Sequence, residues 1–195
     1  MKKSLLAVLF AVALVVPAVA ENMWIGGSFG FNNSSPKDGD SLSNYYIAPE
    51  FGYSLDEKMD IGIDLEYRYG EDSAVFDNGV DPVINYVEKT TTLGIAPFVR
   101  YKMFSIASVD FLAKGSIFYE KSKLDKADVE YTSYGLRVVP IVSYSINETW
   151  SIGATLDFAS IVFENTKDDG DYENTYFGLD ANNGDLFSIG FSYHF

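Results

Sequence analysis

The sequence contains no cysteine, a single histidine and, after its first twenty residues, no long apolar run. Without cysteine there are no disulfide bonds, no thiolate metal sites and no cysteine to carry a lipid anchor. Bases are also scarce, because 14 Lys and Arg stand against 28 Asp and Glu, for a net charge of −14. Nucleic acid is therefore not an expected partner, since binding it requires a basic surface.

The first twenty residues have the form of a secretory signal peptide. Lys2 and Lys3 precede an apolar run, Leu5 to Val16, that is too short to span a membrane. Ala18-Val-Ala20 then supplies a small-x-small cleavage site. We expect residues 1–20 to be removed, leaving residues 21–195 as the exported protein with a net charge of −16 once the two lysines are lost. An uncleaved anchor helix is the alternative.

Apolar residues alternate with small or polar residues along the rest of the chain. At the C-terminus every second position is large and apolar, namely Phe187, Ile189, Phe191, Tyr193 and Phe195. Successive side chains of a strand point to opposite faces, so one face of this segment is apolar. Hydrophobic residues make up 47% of the sequence without forming long runs, and this indicates strands that cross a membrane as a barrel.

Eight segments alternate in this way. They are Met23–Phe31, Tyr45–Leu55, Met59–Tyr69, Thr90–Met103, Val109–Glu120, Tyr131–Ile146, Trp150–Val162 and Gly184–Phe195. Short turns alternate with four long polar connections, Asn32–Asn44, Gly70–Glu88, Lys121–Glu130 and Phe163–Asn183. Short periplasmic turns and long outer loops are typical of outer-membrane barrels. The sequence thus predicts an all-β, eight-stranded antiparallel up-and-down barrel with both termini in the periplasm; a soluble β-sandwich or lipocalin-like barrel is the alternative.

A Pro-x-x-x-Tyr motif recurs on the second, fourth and sixth segments, at Pro49, Pro97 and Pro140. Proline has no N–H to give to a strand ladder, so we expect a lipid-facing bulge or a missing hydrogen bond at each site. Aromatic residues at strand ends predict two girdles at the membrane surfaces. The expected members are Tyr53, Tyr101, Tyr144, Trp150 and Tyr193 on the inner side and Tyr45, Tyr69 and Tyr119 on the outer side.

The face opposite the apolar one carries charged side chains. Four acids and four bases are predicted to meet in the lumen: Glu50, Asp64, Glu66 and Asp157 with Arg68, Arg100, Lys114 and Arg137. A buried charge without a partner is costly, and an eight-stranded barrel is only wide enough for its own side chains. The sequence predicts a salt-bridged, side-chain-filled lumen. A narrow charged channel that opens when pairs exchange is the alternative, and lumen packing distinguishes the two.

The leader, the eight alternating segments and the final Phe195 together resemble the small outer-membrane β-barrel superfamily that includes OmpA transmembrane domains and OmpX-type proteins. The Pro-x-x-x-Tyr repeat is similar to that of the porin-like "outer membrane protein β-barrel domain" group. The resemblance implies a place in the outer membrane of a Gram-negative cell envelope. It also implies partners: the lipid bilayer and lipopolysaccharide, periplasmic chaperones, and the barrel-assembly machinery, with Phe195 as the signal read in assembly.

Candidate catalytic chemistry is sparse. Barrel enzymes that the scaffold resembles use a histidine with a serine or an aspartate near the outer leaflet. Here His194 is the only histidine, at the predicted periplasmic end, with Ser192 on the same strand face and no acid in that strand to orient the ring. We therefore expect a monomeric protein without enzymatic activity, cofactor or metal. Its expected role is to stabilise the envelope or to interact at the cell surface; a porin-like channel for ions or small solutes is the alternative.

The predicted outer loops hold the remaining candidates. Lys167–Glu173 is acidic but lacks the spacing of a calcium-binding loop, so a solvated loop and weak divalent-cation binding both stay open. The same holds for three acids of the second loop, Asp72, Asp77 and Asp81. Tyr172, Tyr176 and Phe177 either anchor an extracellular protein or glycan or extend the outer girdle.

Overall fold

The computed structural model describes residues 22–34, 42–76, 84–170, 172–180 and 188–195. The expected signal peptide, residues 1–20, lies outside these ranges. Among the described residues, no helix is both long enough and apolar enough to cross a membrane.

Ten antiparallel strands close into one barrel. They are β1 Met23–Ser34, β2 Leu42–Ser54, β3 Met59–Phe76, β4 Ile84–Ile106, β5 Val109–Leu124, β6 Val129–Ser145, β7 Trp150–Thr155, β8 Ser160–Asp168, β9 Glu173–Asp180 and β10 Ser188–His194. Neighbours along the chain pair from β1 to β6, and pairing of β10 with β1 and β7 completes the ring. β7 and β8 pair successively with β6 and so share one position in the wall. β9, which pairs with β8, and β10, which pairs with β7, share the next position in the wall. The ten strands thus occupy eight positions, and the predicted eight-stranded antiparallel barrel is confirmed.

The predicted continuous seventh strand, Trp150–Val162, is wrong. A 3-10 turn, Asp157–Ala159, separates β7 from β8. β6 pairs with β7 as far as Thr155 and with β8 from Ile161, so the wall holds extra residues opposite Pro140. Because proline offers no N–H at this point, a regular ladder lacks a donor there, and the chain turns out of the sheet instead.

The other two prolines interrupt the wall in the same way. The ladder between β2 and β3 omits Ala48 and Pro49, and the ladder between β4 and β5 omits Ala96 and Pro97. The register is the same on both sides of each gap, so bonds are missing without a bulge. The prediction of irregular hydrogen bonding at the prolines is confirmed.

The predicted long loops are largely strands. Within Phe163–Asn183, β8 continues to Asp168 and β9 pairs with it, leaving a short turn between them. Within Gly70–Glu88, β3 and β4 form a paired ribbon to Phe76 and Ile84. Polar residues continue the ladders because their backbone N–H and C=O groups still need partners beyond the apolar belt.

The remaining boundaries differ less. The predicted loop Lys121–Glu130 is reduced to a short turn between β5 and β6. The predicted loop Asn32–Asn44 is shortened at both ends, where its residues belong to β1 and β2. The eighth predicted segment, Gly184–Phe195, is described from Ser188 onward, and its first four residues lie outside the described ranges.

Aromatic residues mark both edges of the outward apolar belt. We call the end of the barrel with the tight turns and both described termini the turn end, and the opposite end the loop end. At the turn end Trp150 packs edge-on against Tyr193, with ring centroids 5.0 Å apart. At the loop end Tyr45 stacks on Tyr69 at 5.0 Å. The other predicted girdle residues, Tyr53, Tyr101, Tyr144 and Tyr119, are exposed on the same face.

Aromatic side chains fill the lumen by lying over glycines of the neighbouring strand. Trp24 is fully buried and pairs in register with Gly52, while Phe98, also buried, pairs with Gly62. A Cβ at either glycine would fall well inside van der Waals contact with the ring. Each ring therefore needs a neighbour without a side chain.

We predict that Gly52→Ala destabilises the barrel by about 1–3 kcal/mol, because the added methyl overpacks the site and displaces Trp24. Urea titration of heat-modifiable gel mobility measures the stability. Trp24 fluorescence in a Trp150→Phe background reports the displaced ring. Gly115→Ala is the matched control, since a Cβ there meets nothing within 4 Å. Equal unfolding midpoints for the two variants would contradict the packing argument.

Candidate functional site

Three of the described lumen cations each lie over an aromatic ring and against an acid. Nearest the turn end, the Arg100 guanidinium is 4.1 Å from the centroid of the Trp24 ring. Its Nε and Nη2 donate to Asp60 Oδ2 at 2.9 and 2.8 Å. These two contacts converge on one carboxylate oxygen and, with the ring face, hold the guanidinium flat across this level of the lumen.

Lys114 occupies the middle of the lumen. Its Nζ lies 2.6 Å from both Glu50 Oε1 and Asp64 Oδ2, and 4.4 Å from the centroid of the Phe98 ring. The ammonium is buried and shared by two acids from β2 and β3. The group of three thus carries one excess negative charge, and the second Asp64 oxygen, Oδ1, has no hydrogen-bond partner among the described residues.

Arg137 forms the third level, toward the loop end. Its guanidinium lies 4.6 Å from the Phe118 ring centroid and 3.6 Å from Glu120. Beside it Arg68 contacts Glu66 at 2.5 Å, two residues away on the same face of β3, with the Arg68 side chain half-exposed.

Two polar cavities lie within the barrel. A vestibule of about 850 Å³ opens at the turn end and is lined by Asp60, Arg100 and His194 among others. A central cavity of about 120 Å³ is lined by Asp64, Lys114 and neighbouring polar side chains. The buried rings of Trp24 and Phe98, with centroids 6.0 Å apart, line neither cavity and belong to the layer between them.

This closed barrel fits the comparison with known families. The sequence matches the family described as "Outer membrane protein beta-barrel domain" over residues 4–195. The chain belongs to this family. Membership implies a location in the outer membrane. No curated protein of similar sequence was found.

A solved structure agrees with the fold of this outer-membrane barrel. The outer membrane protein OprG from Pseudomonas aeruginosa is 16% identical with a TM-score of 0.54, over 90% of this chain and 97% of that one. Neisserial surface protein A is 15% identical with a TM-score of 0.47, over 89% of this chain and 97% of that one. At 16% identity, the likeness to OprG shows the fold alone.

The structure brings together some, but not all, of the eight charged residues predicted in the lumen of this outer-membrane barrel. Glu50, Asp64 and Lys114 meet, as do Glu66 and Arg68. Arg100 and Arg137 pair with two acids outside the predicted set, and the side chain of Asp157 lies outside the described part of the structure. With Asp60 and Glu120 added and Asp157 left out, the predicted set of four acids and four bases becomes five acids and four bases.

Sequence reasoning missed Asp60 and Glu120, the partners of Arg100 and Arg137. Both stand on the inward face by the same alternation that placed Lys114 there, but each is near the end of its predicted strand. The seating of the lumen aromatics on glycines was missed because it depends on the strand register. A search for aromatic positions facing glycine across each hairpin would have found Trp24.

His194 lies at the wall of the vestibule. Its Nε2 is 3.5 Å from Ser151 Oγ, a long contact with the neighbouring strand rather than with Ser192. The imidazole also packs 6.2 Å from the Trp24 ring centroid. Among the described residues no group of three or more His, Asp or Glu side chains is arranged to hold a metal ion.

In the acidic turn between β8 and β9, charged side chains form hydrogen bonds and an ion pair within the turn itself. Asp168 Oδ1 accepts hydrogen bonds from the N–H groups of Gly170 and Tyr172 at 2.8 and 3.1 Å. Lys167 pairs with Glu173 at 3.1 Å. Asp72 is exposed on β3, whereas Asp77 and Asp81 lie outside the described residues.

The three aromatic residues considered as partner anchors at the loop end, Tyr172, Tyr176 and Phe177, do not all lie on the same face of the wall. Tyr172 packs edge-on against Tyr131, with ring centroids 6.3 Å apart. The Tyr176 hydroxyl donates to the Leu179 carbonyl at 3.1 Å. Phe177 alternates with Tyr176 along β9 and is 74% exposed, on the outward face with Phe163.

We predict that Lys114→Met destabilises the barrel by about 3–5 kcal/mol, because Glu50 and Asp64 lose their shared cation in the lumen. Adding Glu50→Gln and Asp64→Asn to this variant should restore most of the loss. Lys123→Met removes an exposed ion pair and should cost no more than about 1 kcal/mol. Unfolding midpoints in urea measure all three, and similar midpoints for the two single variants would refute the argument.

Proposed function

We propose that this protein is a monomeric, non-enzymatic outer-membrane barrel with a sealed lumen, which stabilises the envelope or interacts with partners at the cell surface. In this proposal residues 1–20 are a signal peptide, the turn end with both termini faces the periplasm, and the loop end faces the outside. Short turns on one side and long paired ribbons on the other support that orientation.

The layer between the two cavities is the observation that carries the sealed lumen. Trp24 and Phe98 are seated on glycines, and Arg100 and Lys114 cover their faces. A hydrated ion moving from the vestibule to the central cavity would have to displace both rings and separate two ion-paired cations. An eight-stranded barrel has no spare width for such a movement.

A narrow channel is the second candidate, and the central cavity favours it. Its volume has room for a few water molecules, and it holds charged groups of both signs. Asp64 Oδ1 is an open acceptor there, so Lys114 has an alternative oxygen within the same group of acids. In this alternative, the channel would open when Lys114 exchanges one carboxylate oxygen for another.

The absence of an assembled catalytic group among the described residues supports a non-enzymatic role. The single histidine has a long contact with Ser151, and its ring packs on Trp24. A Ser–His pair needs a third group to orient the imidazole, and no hydrogen bond from His194 to an acid is described.

We predict that the refolded protein gives no steady conductance in a planar bilayer, because Trp24 and Phe98 separate the cavities. The double variant Trp24→Ala/Phe98→Ala should give reproducible openings, since it removes both rings of the layer. Trp150→Ala/Tyr193→Ala removes an aromatic pair from the outward face and should remain silent. Heat-modifiable gel mobility verifies folding of each variant. Steady openings of the unaltered protein would reject the sealed lumen in favour of the channel.

An ordered turn at the loop end supports the surface role. Glu88 is buried, and its oxygens accept hydrogen bonds from the N–H groups of Lys126, Ala127 and Lys89 at 2.8, 3.2 and 3.1 Å. These bonds fasten the turn between β5 and β6 to β4. They favour the carboxylate form, with the bond from Lys126 the largest cause, and lower the pKa of Glu88 below its ordinary value.

A lowered pKa in the folded state means that Glu88 stabilises the turn above about pH 4.5 and that this contribution is lost as the pH falls through the folded pKa. We predict that backbone amide exchange at Lys126 and Ala127 is slow at pH 7, after correction for intrinsic rates, and faster once the pH has fallen through the folded pKa of Glu88. In the Glu88→Gln variant, the amides of Lys126 and Ala127 should exchange rapidly at both pH values. Unchanged protection in acid would disprove the role of this carboxylate.

A further inference from the structure

The single histidine of the chain lies beside the aromatic layer formed by Trp24 and Phe98. His194 pairs in register with Trp24, and the centroids of the two rings are 6.2 Å apart. The imidazole lines the vestibule, so water and protons reach it from the turn end. The charge of a histidine ordinarily changes between about pH 5 and 8. A change of charge near neutral pH can therefore occur directly against the Trp24 ring.

The surroundings of the imidazole do not provide for a positive charge. The charged groups that act on it are Arg100 and Lys102 of β4 and Asp60 of β3, while the neighbour from β7 is the neutral Ser151, with Oγ 3.5 Å from Nε2. The acid of this set is already engaged. Its Oδ2 accepts from Arg100 Nε and Nη2, and its Oδ1 accepts from Ser54 Oγ at 2.7 Å. An imidazolium here would face two cations and a carboxylate with both oxygens bonded.

Trp24 depends on one of those two cations. The Arg100 guanidinium covers the indole at 4.1 Å from its centroid, and Gly52 leaves the space in which the ring lies. The buried indole Nε1 has no hydrogen-bond partner among the described residues, so the ring is held by packing and by the guanidinium. A positive imidazole would repel Arg100 and weaken the contact that covers the ring.

We propose that His194 is a pH-sensitive switch: protonation from the turn end displaces Arg100 and Trp24 and opens the half of the aromatic layer that faces the vestibule. Coupling is reciprocal, so a packed arrangement that disfavours the charged imidazole is itself disfavoured once that charge is present. Phe98 has its own glycine and its own cation, Lys114, and stays in place. This inference rests on the proposed sealed lumen and names a condition that loosens one side of it.

Acrylamide quenching of Trp24 fluorescence tests the proposal in the refolded protein in detergent. Trp150→Phe leaves Trp24 as the single tryptophan. Acrylamide is neutral, so its concentration near the ring does not follow the charge of the imidazole, and division by the fluorescence lifetime removes direct quenching by that group. We expect the quenching constant at about pH 5.5 to be roughly threefold its value at about pH 7.5, because the ring becomes accessible from the vestibule.

Three variants in the same background locate the effect. His194→Gln carries no titrating group and should give the same low constant at both pH values. Ser151→Asp places a carboxylate beside Nε2, so the imidazolium gains a partner and the acid response should disappear. Glu148→Gln is the matched control, because it removes a different titrating group from the vestibule and should keep the response. No rise in the unaltered protein, or an equal rise in His194→Gln, would overturn the proposal.

The two proposals about the lumen fail separately. Conductance at neutral pH decides whether the lumen is sealed, whereas the pH dependence of quenching decides whether His194 controls the position of Trp24. A silent barrel without an acid response refutes the switch and leaves the seal intact. Steady conductance at neutral pH, together with a response that His194→Gln abolishes, rejects the seal and retains the switch.

Discussion

The narrow interior of an eight-stranded barrel limits the water around a buried charge, and the rest of the lumen is arranged around that constraint. Arg100, Lys114 and Arg137 each contact a carboxylate and an aromatic face, which replace part of a hydration shell. The rings in turn need space, which glycines of the adjacent strands supply. Charge, ring and glycine thus form one unit that spans neighbouring strands.

The wall follows a different rule from the lumen. Each of the three proline motifs removes a ladder donor on an even-numbered strand, always toward the next strand along the chain. At Pro49 and Pro97 the ladder resumes in register, while at Pro140 the neighbouring strand leaves the sheet as a 3-10 turn. Proline therefore removes only local hydrogen bonds where both strands are regular, at Pro49 and Pro97. At Pro140, where the neighbouring strand holds extra residues, the ladder is interrupted by a 3-10 turn.

Alternation of side chains made the turn end of the barrel predictable: β3 and β5 begin at Met59 and Val109 as expected. It failed at the loop end, where both strand faces are polar and hydrophobicity no longer marks a strand. The inward position of Lys114 followed from the same alternation. Its choice of Glu50 and Asp64, and the seating of Trp24 on Gly52, depend on register and curvature, which no short sequence window contains.

The bond between Lys114 and Glu50 has a meaning for assembly. In a flat sheet β5 and β2 would be three strand spacings apart, about 14 Å. In the barrel Nζ and Oε1 lie 2.6 Å apart, so the pair forms only after four strands have rolled into an arc. Before that, both groups face water and keep the inward surface of the open sheet hydrated. The same two side chains thus face water in a flat sheet and face each other in the closed barrel.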